Sequence, residues 1–150
     1  MKFITPNTKM HKKYPSKVSY GLLVFIFVIF FAPFIFDLLN NGLGQLVSLV
    51  LVVLLFLYGF ILHMFFQTGY SVENGQLKIK MGFFSFRSIN INEIKKISKT
   101  SSILSAPAPS FDRIEIRHGD FGSIIISPKD KISFAKDLSE LNPEINNNLI

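Results

Sequence analysis

Three histidines, His11, His63 and His118, are the side chains best suited to acid–base or metal chemistry, and no cysteine joins them. Their spacing matches no metal-ligand pattern, and no acidic pair accompanies them. Without cysteine the chain makes no disulfide, thiolate nucleophile or cysteine-ligated metal site. The serines lack a nucleophile elbow, and there is no glycine-rich phosphate loop. Carboxylates such as Glu115 and Asp120 alternate with basic residues, as on a solvated strand face. These residue types and spacings do not describe an enzyme, and no cofactor is expected.

The remaining candidates are cationic. Lys2, Lys9, Lys12, Lys13 and Lys17 form a basic N-terminal segment, and Lys95, Lys96 and Lys99 form a second cluster that Lys78 and Lys80 could join. The net charge is +6, but its excess stands ahead of residue 18 rather than across a broad surface, which argues against a nucleic-acid binder. Lysines beside a bilayer orient the chain and attract anionic lipid. Solvated surface lysines are the simpler reading of the second cluster. Lys9, Lys12, Lys13, Lys17, Lys95, Lys96 and Lys99 are therefore the candidate lipid or partner contacts.

What positions these charges is a pair of apolar runs, Val18 to Phe36 and Leu46 to Phe66, with Asp37 the single formal charge between Val18 and Phe66. As helices they reach roughly 28 and 31 Å, close to a hydrocarbon core of about 30 Å. A chain of 150 residues has too little polar material to enclose two such helices in a soluble core. A cleaved signal peptide fits poorly, because the first run is long and ends in Ala32-Pro33-Phe34-Ile35-Phe36-Asp37 without a small-x-small site. Asp37 to Gln45, with two glycines and two asparagines, reads as a tight turn. The lysines before the first run and the basic residues after the second place both termini in the cytoplasm and the turn outside. His63, near the cytoplasmic end of the second span, is expected at the interface.

Residues 68–150 change character. Asn74-Gly75 between alternating runs predicts a hairpin. Phe84 and Phe86 are out of phase with Ile89 and Ile91, which calls for a bulge or bend. Ile91, Ile94 and Ile97 suggest a short helical turn near the next strand. The loop from Ser101 to Ser110 is held extended by Pro107 and Pro109. Asp112 to Arg117 alternates as a strand, and Ile124-Ile125-Ile126 reads as a strand covered on both faces. Ser127 as N-cap and Pro128 at the first position predict a helix carrying Phe134, Leu138 and Leu141 on one stripe with Ile132 and Ala135 beside it, stopped at Asn142-Pro143.

Two separated motifs, Ser105-Ala106-Pro107-Ala108-Pro109-Ser110-Phe111-Asp112-Arg113-Ile114-Glu115-Ile116 and Ile126-Ser127-Pro128-Lys129-Asp130, occur in order ahead of a terminal helix. With that helix they resemble the bacterial pleckstrin-homology-like domain family over residues 68–145. The resemblance implies a PH-like fold, commonly attached to one or two membrane spans, with no catalytic residues. It gives Asp112 and Arg113 a recurrent position whose expected role is tying the preceding loop to the strand.

The expected architecture is a transmembrane α-helical hairpin plus a cytoplasmic α+β PH-like domain, a small antiparallel β-barrel or bent sheet capped by a C-terminal helix. Residues 1–17 form a basic cytoplasmic tail, 18–67 the hairpin with spans at about 18–36 and 46–66, 68–145 the domain, and 146–150 a tail. The expected location is the bacterial cell membrane. Some small membrane-anchored members of the family resemble immunity proteins that protect producers of sublancin-type antimicrobial peptides. That implies an immunity protein acting at a peptide's membrane target. The alternative is a membrane-tethered adaptor or scaffold binding a protein partner or anionic lipid at the inner leaflet.

Overall fold

The computed structural model describes residues 11–42, 44–102 and 108–149. Strand β1 (Lys12–Pro15) leads through a short link into helix α1 (Tyr20–Asn41), which turns back as α2 (Gln45–Phe66). Strands β2 (Thr68–Glu73), β3 (Gln76–Met81), β4 (Phe84–Ser85) and β5 (Ile89–Asn90) follow. A single 3-10 turn at Ile91–Glu93 enters β6 (Ile94–Thr100), then come β7 (Arg113–His118), β8 (Gly122–Ile126), α3 (Lys131–Leu141) and β9 (Asn146–Asn147).

Both long helices are apolar and of a length that could cross a membrane, and most of their side chains face outward. They meet where Tyr58 donates to the Leu23 carbonyl at 3.3 Å and sets its ring edge-on to Phe27 and Phe31. Ser19 caps α1 by accepting from the Leu22 amide, so the helix begins two residues later than the apolar run. It also runs through the expected turn to Asn41. Asn40 donates to the Phe36 carbonyl and Asn41 to the Asp37 carboxylate, and Gly42 ends the helix at φ 75°.

The strands make two sheets. One has the order β1-β2-β3-β4, with β5 pairing the other end of β3; the second has the order β8-β7-β6-β9. The Asn74-Gly75 turn joins β2 to β3, with Asn74 and Gly75 both at positive φ as a two-residue hairpin requires. Tyr70, Val72, Leu77 and Ile79 from the first sheet meet Ile97, Ile114, Ile116 and Ile126 from the second. Phe134, Ala135 and Leu138 of α3 complete this core and are fully buried. Two long apolar helices, a two-sheet β domain and a C-terminal helix are consistent with the expected PH-like architecture.

Several boundaries differ from the sequence expectation. Residues 12–15 are an edge strand of the first sheet and not tail, with Lys12 opposite Val72 and Pro15 opposite Gly69. Tyr14 enters the core, only 7% exposed, with its ring edge-on to Phe134 at 4.9 Å. Lysines on both sides hide this alternation. Residues 146–147 are also not tail: they pair parallel to Lys96 and Ile97 of β6, and Ile145 is buried. Asn142 holds that return in place by donating to the carbonyls of Ile91 and Ile94.

The cap of α3 is Asp130 and not Ser127; its carboxylate accepts from the Ser133 amide at 3.0 Å. Ser127 is drawn elsewhere. Its carbonyl accepts from the Lys17 amide at 2.7 Å, and Pro128 bridges Ser16. The later start turns Ile132 outward, at 61% exposure. Nor is β8 covered evenly on both faces: Ile126 is buried, whereas Ile124 and Ile125 are half-buried.

If β1 belongs to the domain, Tyr14→Ala removes a buried ring and costs about 3–5 kcal/mol, by analogy with large aromatic truncations. A tail residue would cost within about 0.5 kcal/mol. Denaturant unfolding of the detergent-solubilised full chain separates the two outcomes.

Candidate functional site

The candidate residues other than the β6 lysines fall into three places around the junction between the helical hairpin and the sheets. The first is the seam that joins β1 to the end of β8. Ser16 Oγ lies 3.1 Å from both the Tyr70 and Ser127 hydroxyls and donates to the Ser127 carbonyl, while the Ser127 amide donates to Tyr70 Oη at 3.0 Å. Lys129 closes the other side by donating its amide to the Pro15 carbonyl. Burial pushes the Tyr70 hydroxyl upward in pKa, so it serves as a neutral donor and acceptor. This cluster is structural: its three hydroxyls are spent on one another and on backbone.

The second place gathers Asp112 and Arg113. Asp112 accepts from Lys131, the first residue of α3, and from Lys17 at 2.8 Å, and these hydrogen bonds hold its carboxyl below the ordinary range. Arg113, 8% exposed, donates to the carbonyls of Ser110, Ala108 and Ser102, so its guanidinium spans both ends of the preceding loop. Pro109 is buried there, and its carbonyl accepts from the Ser19 amide at the foot of α1. Pro107 lies outside the described residues, as does Lys9. The expected loop tie is thus extended to the hairpin and to α3.

Lys12 and Lys17 are not idle charges. Lys12 and the Tyr14 hydroxyl both donate to Asp137 of α3. Burial pushes Asp137 upward, but the hydrogen bonds from Lys12 and Tyr14 outweigh it and leave the carboxyl lowered. Burial first, then the Asp137 hydrogen bond, push Tyr14 well above its ordinary value.

The third place is the foot of α2. Lys13 and Lys80 border a shallow groove of about 360 Å³ with Tyr14, Pro15 and Phe66. The expected lysine cluster is split between sheets: Lys78 and Lys80 lie on β3, and Lys95, Lys96 and Lys99 on β6. Lys78 pairs with Glu73 at 2.7 Å and Lys95 with Asp120 at 3.1 Å. Among the described residues, Lys13, Lys80, Lys96 and Lys99 have no ion-pair partner, and no His or acidic group could hold a metal. Sequence reading did not bring Tyr14, Ser16 and Tyr70 together with Ser127, which it assigned to a helix cap; the one available signal was the alternation of Lys12, Tyr14 and Ser16 against Lys13, Pro15 and Lys17.

The charged ties give a two-sided pH dependence. Asp112 and Asp137 sit below their ordinary 3.8, so their stabilisation is present above that pH and lost as pH falls through the folded values. Tyr14 is raised above 10.0, so its contribution is intact below pH 10.0 and lost as pH rises through the folded value. Thermal midpoints measured downward from neutral pH should fall more gently in Asp137→Asn than in the parent; equal slopes would remove Asp137 from the acid limb.

Residues 68–142 match the family model of the bacterial PH domain. No curated protein and no solved structure matches the chain.

Proposed function

This chain belongs to the bacterial PH domain family, and we propose that it is a membrane-tethered, non-enzymatic adaptor that presents its PH-like domain at the inner leaflet of the bacterial cell membrane. One observation carries this reading: the apolar hairpin is inserted within the domain, between β1 and β2, and both of its ends are fixed in one sheet. A flexible tether would only keep a domain near the bilayer. Two fixed attachment points hold one face of the sheets toward it and leave the opposite end open to a partner. PH domains commonly bind lipids or proteins, and the lysines without ion pairs among the described residues, Lys13 and Lys80 at the foot of α2 and Lys96 and Lys99 on β6, suit either an anionic headgroup or an acidic protein surface.

The absence of cysteine makes the topology directly testable. Gln45→Cys, at the start of α2, should react with a membrane-impermeant maleimide in intact cells. Glu144→Cys, after α3, should react only once the membrane is opened. The reverse pattern, or equal labelling of both, overturns the inner-leaflet placement.

Immunity to a secreted antimicrobial peptide is a narrower form of the same reading. Its support is the small organisation of a two-helix anchor with one PH-like domain, acting by shielding or altering the peptide's membrane target. Expression in a sensitive bacterium should then raise survival against sublancin-like peptides. Unchanged sensitivity across a panel of peptides leaves the adaptor reading alone.

A further inference from the structure

The turn after β3 leaves three phenylalanines in an unusual position. Phe83 is 72% exposed, Phe84 58% and Phe86 37%. Isolated exposed apolar residues are ordinary, but these are consecutive or nearly so, and the turn that carries them meets the last turn of α2 at Gly82 and Phe83. Gly82, at φ 57°, donates its amide to the Gln67 carbonyl at 3.2 Å. A Cβ at Gly82 would stand 2.4 Å from Met64 Sδ and 3.2 Å from Met64 Cα, so the turn is seated on the helix itself. The Phe83 ring then stacks on His63, with centroids 4.2 Å apart and planes 22° from parallel.

That stack sets the depth of the turn. His63 precedes the end of α2 at Phe66 by three residues, or about 4.5 Å along a helix axis. The Phe83 ring is therefore level with the last apolar turn of α2 and not beyond it. Phe66, the last residue of α2, is itself 55% exposed. The flanking charge is basic: Lys80 stands opposite Ser85 in the β3–β4 pairing, Lys13 shares the groove beside Phe66, and Arg87 follows Phe86. Among the described residues, none of these three cations has an ion-pair partner.

We propose that the Gly82–Phe86 turn is a second membrane contact, in which Phe83 and Phe84 enter the interfacial layer while Lys13, Lys80 and Arg87 face anionic lipid headgroups. An apolar surface continuous with a spanning helix and rimmed by unpaired cations fits the boundary between acyl chains and headgroups. It gives His63 a positioning role, as the ring that holds Phe83 at that depth. With the hairpin it also makes a third point of attachment, which stops the domain from rocking about its two links. The inference rests on the membrane-spanning reading of the hairpin.

The chain has no tryptophan, so one introduced residue reports from one site. Phe83→Trp, Phe56→Trp and Phe121→Trp would each be made in the full chain and reconstituted into phosphatidylglycerol–phosphatidylcholine vesicles. Phe56 is exposed in the middle of α2. Phe121 stands just before Gly122, at the end of β8 remote from the Ser127 seam and roughly 20 Å from it at the usual strand rise. The expected result for Phe83→Trp is a blue-shifted emission, lost to lipids spin-labelled near the headgroup more than to lipids labelled at the chain end. Phe56→Trp should show the opposite preference, and Phe121→Trp should lose nothing to either. An unquenched Phe83→Trp beside a quenched Phe56→Trp overturns the second contact and leaves the spanning hairpin standing. If Phe56→Trp is also unquenched, both readings fall.

Discussion

The pairing of β1 with β2 places Pro15 directly opposite Gly69, on either side of the whole helical hairpin. The chain must leave the sheet at one point and come back to it at a neighbouring strand position, about 5 Å away in a sheet. Two helices can meet that requirement only by running antiparallel with their outer ends close together, one capped by Gly42 and the other by Gly44. The hairpin geometry is therefore set from the domain as much as from contacts between the helices. Those contacts are few, centred on Tyr58 against Phe27 and Phe31.

The same strand also unites the two sheets. On one edge it pairs with β2, and at Ser16 it reaches Pro128 at the end of β8. Burying three hydroxyls at that seam would be costly if any were left unpaired. Mutual bonding among Ser16, Tyr70 and Ser127 removes the cost. Asp112 and Asp137 then bind the N-terminal segment to α3 from two sides, through Lys17 with Lys131 and through Lys12 with Tyr14. Individually, such half-exposed ion pairs stabilise little. Their value here is geometric, because each connects segments distant in sequence around one short strand.

What could be read from sequence follows the reach of each physical signal. The apolar runs, the Asn74-Gly75 hairpin and the stripe through Phe134 and Leu138 are local patterns, and the structure contains all three. The helix start at Ser127 failed for a non-local reason: its side chain and carbonyl are claimed by Ser16 and Lys17 more than a hundred residues earlier. The N-terminal strand was hidden because Lys12, Lys13 and Lys17 resemble an orienting tail, whereas two of them are bound by Asp137 and Asp112. Asn146 and Asn147 read as a fraying end because parallel pairing with β6 leaves no mark in a short polar stretch. The Asp112–Arg113 motif was visible as a resemblance, but only coordinates reveal that Asp112 also binds Lys17, in the link before α1, and Lys131 of α3.

Insertion of the hairpin inside the domain has a consequence for the order of events during synthesis. The first strand of the sheet is made before either long helix, and its partner is made after both. At roughly 5–20 residues per second, that strand waits seconds with its edge unpaired. Its closing contact joins residues 54 to 60 apart in sequence, and such non-local contacts form late because loop closure must precede them. Completion of the sheet thus acts as a checkpoint on the helices. A chain whose helices have not come together antiparallel cannot bring Thr68 back beside Pro15, and its sheet stays one strand short.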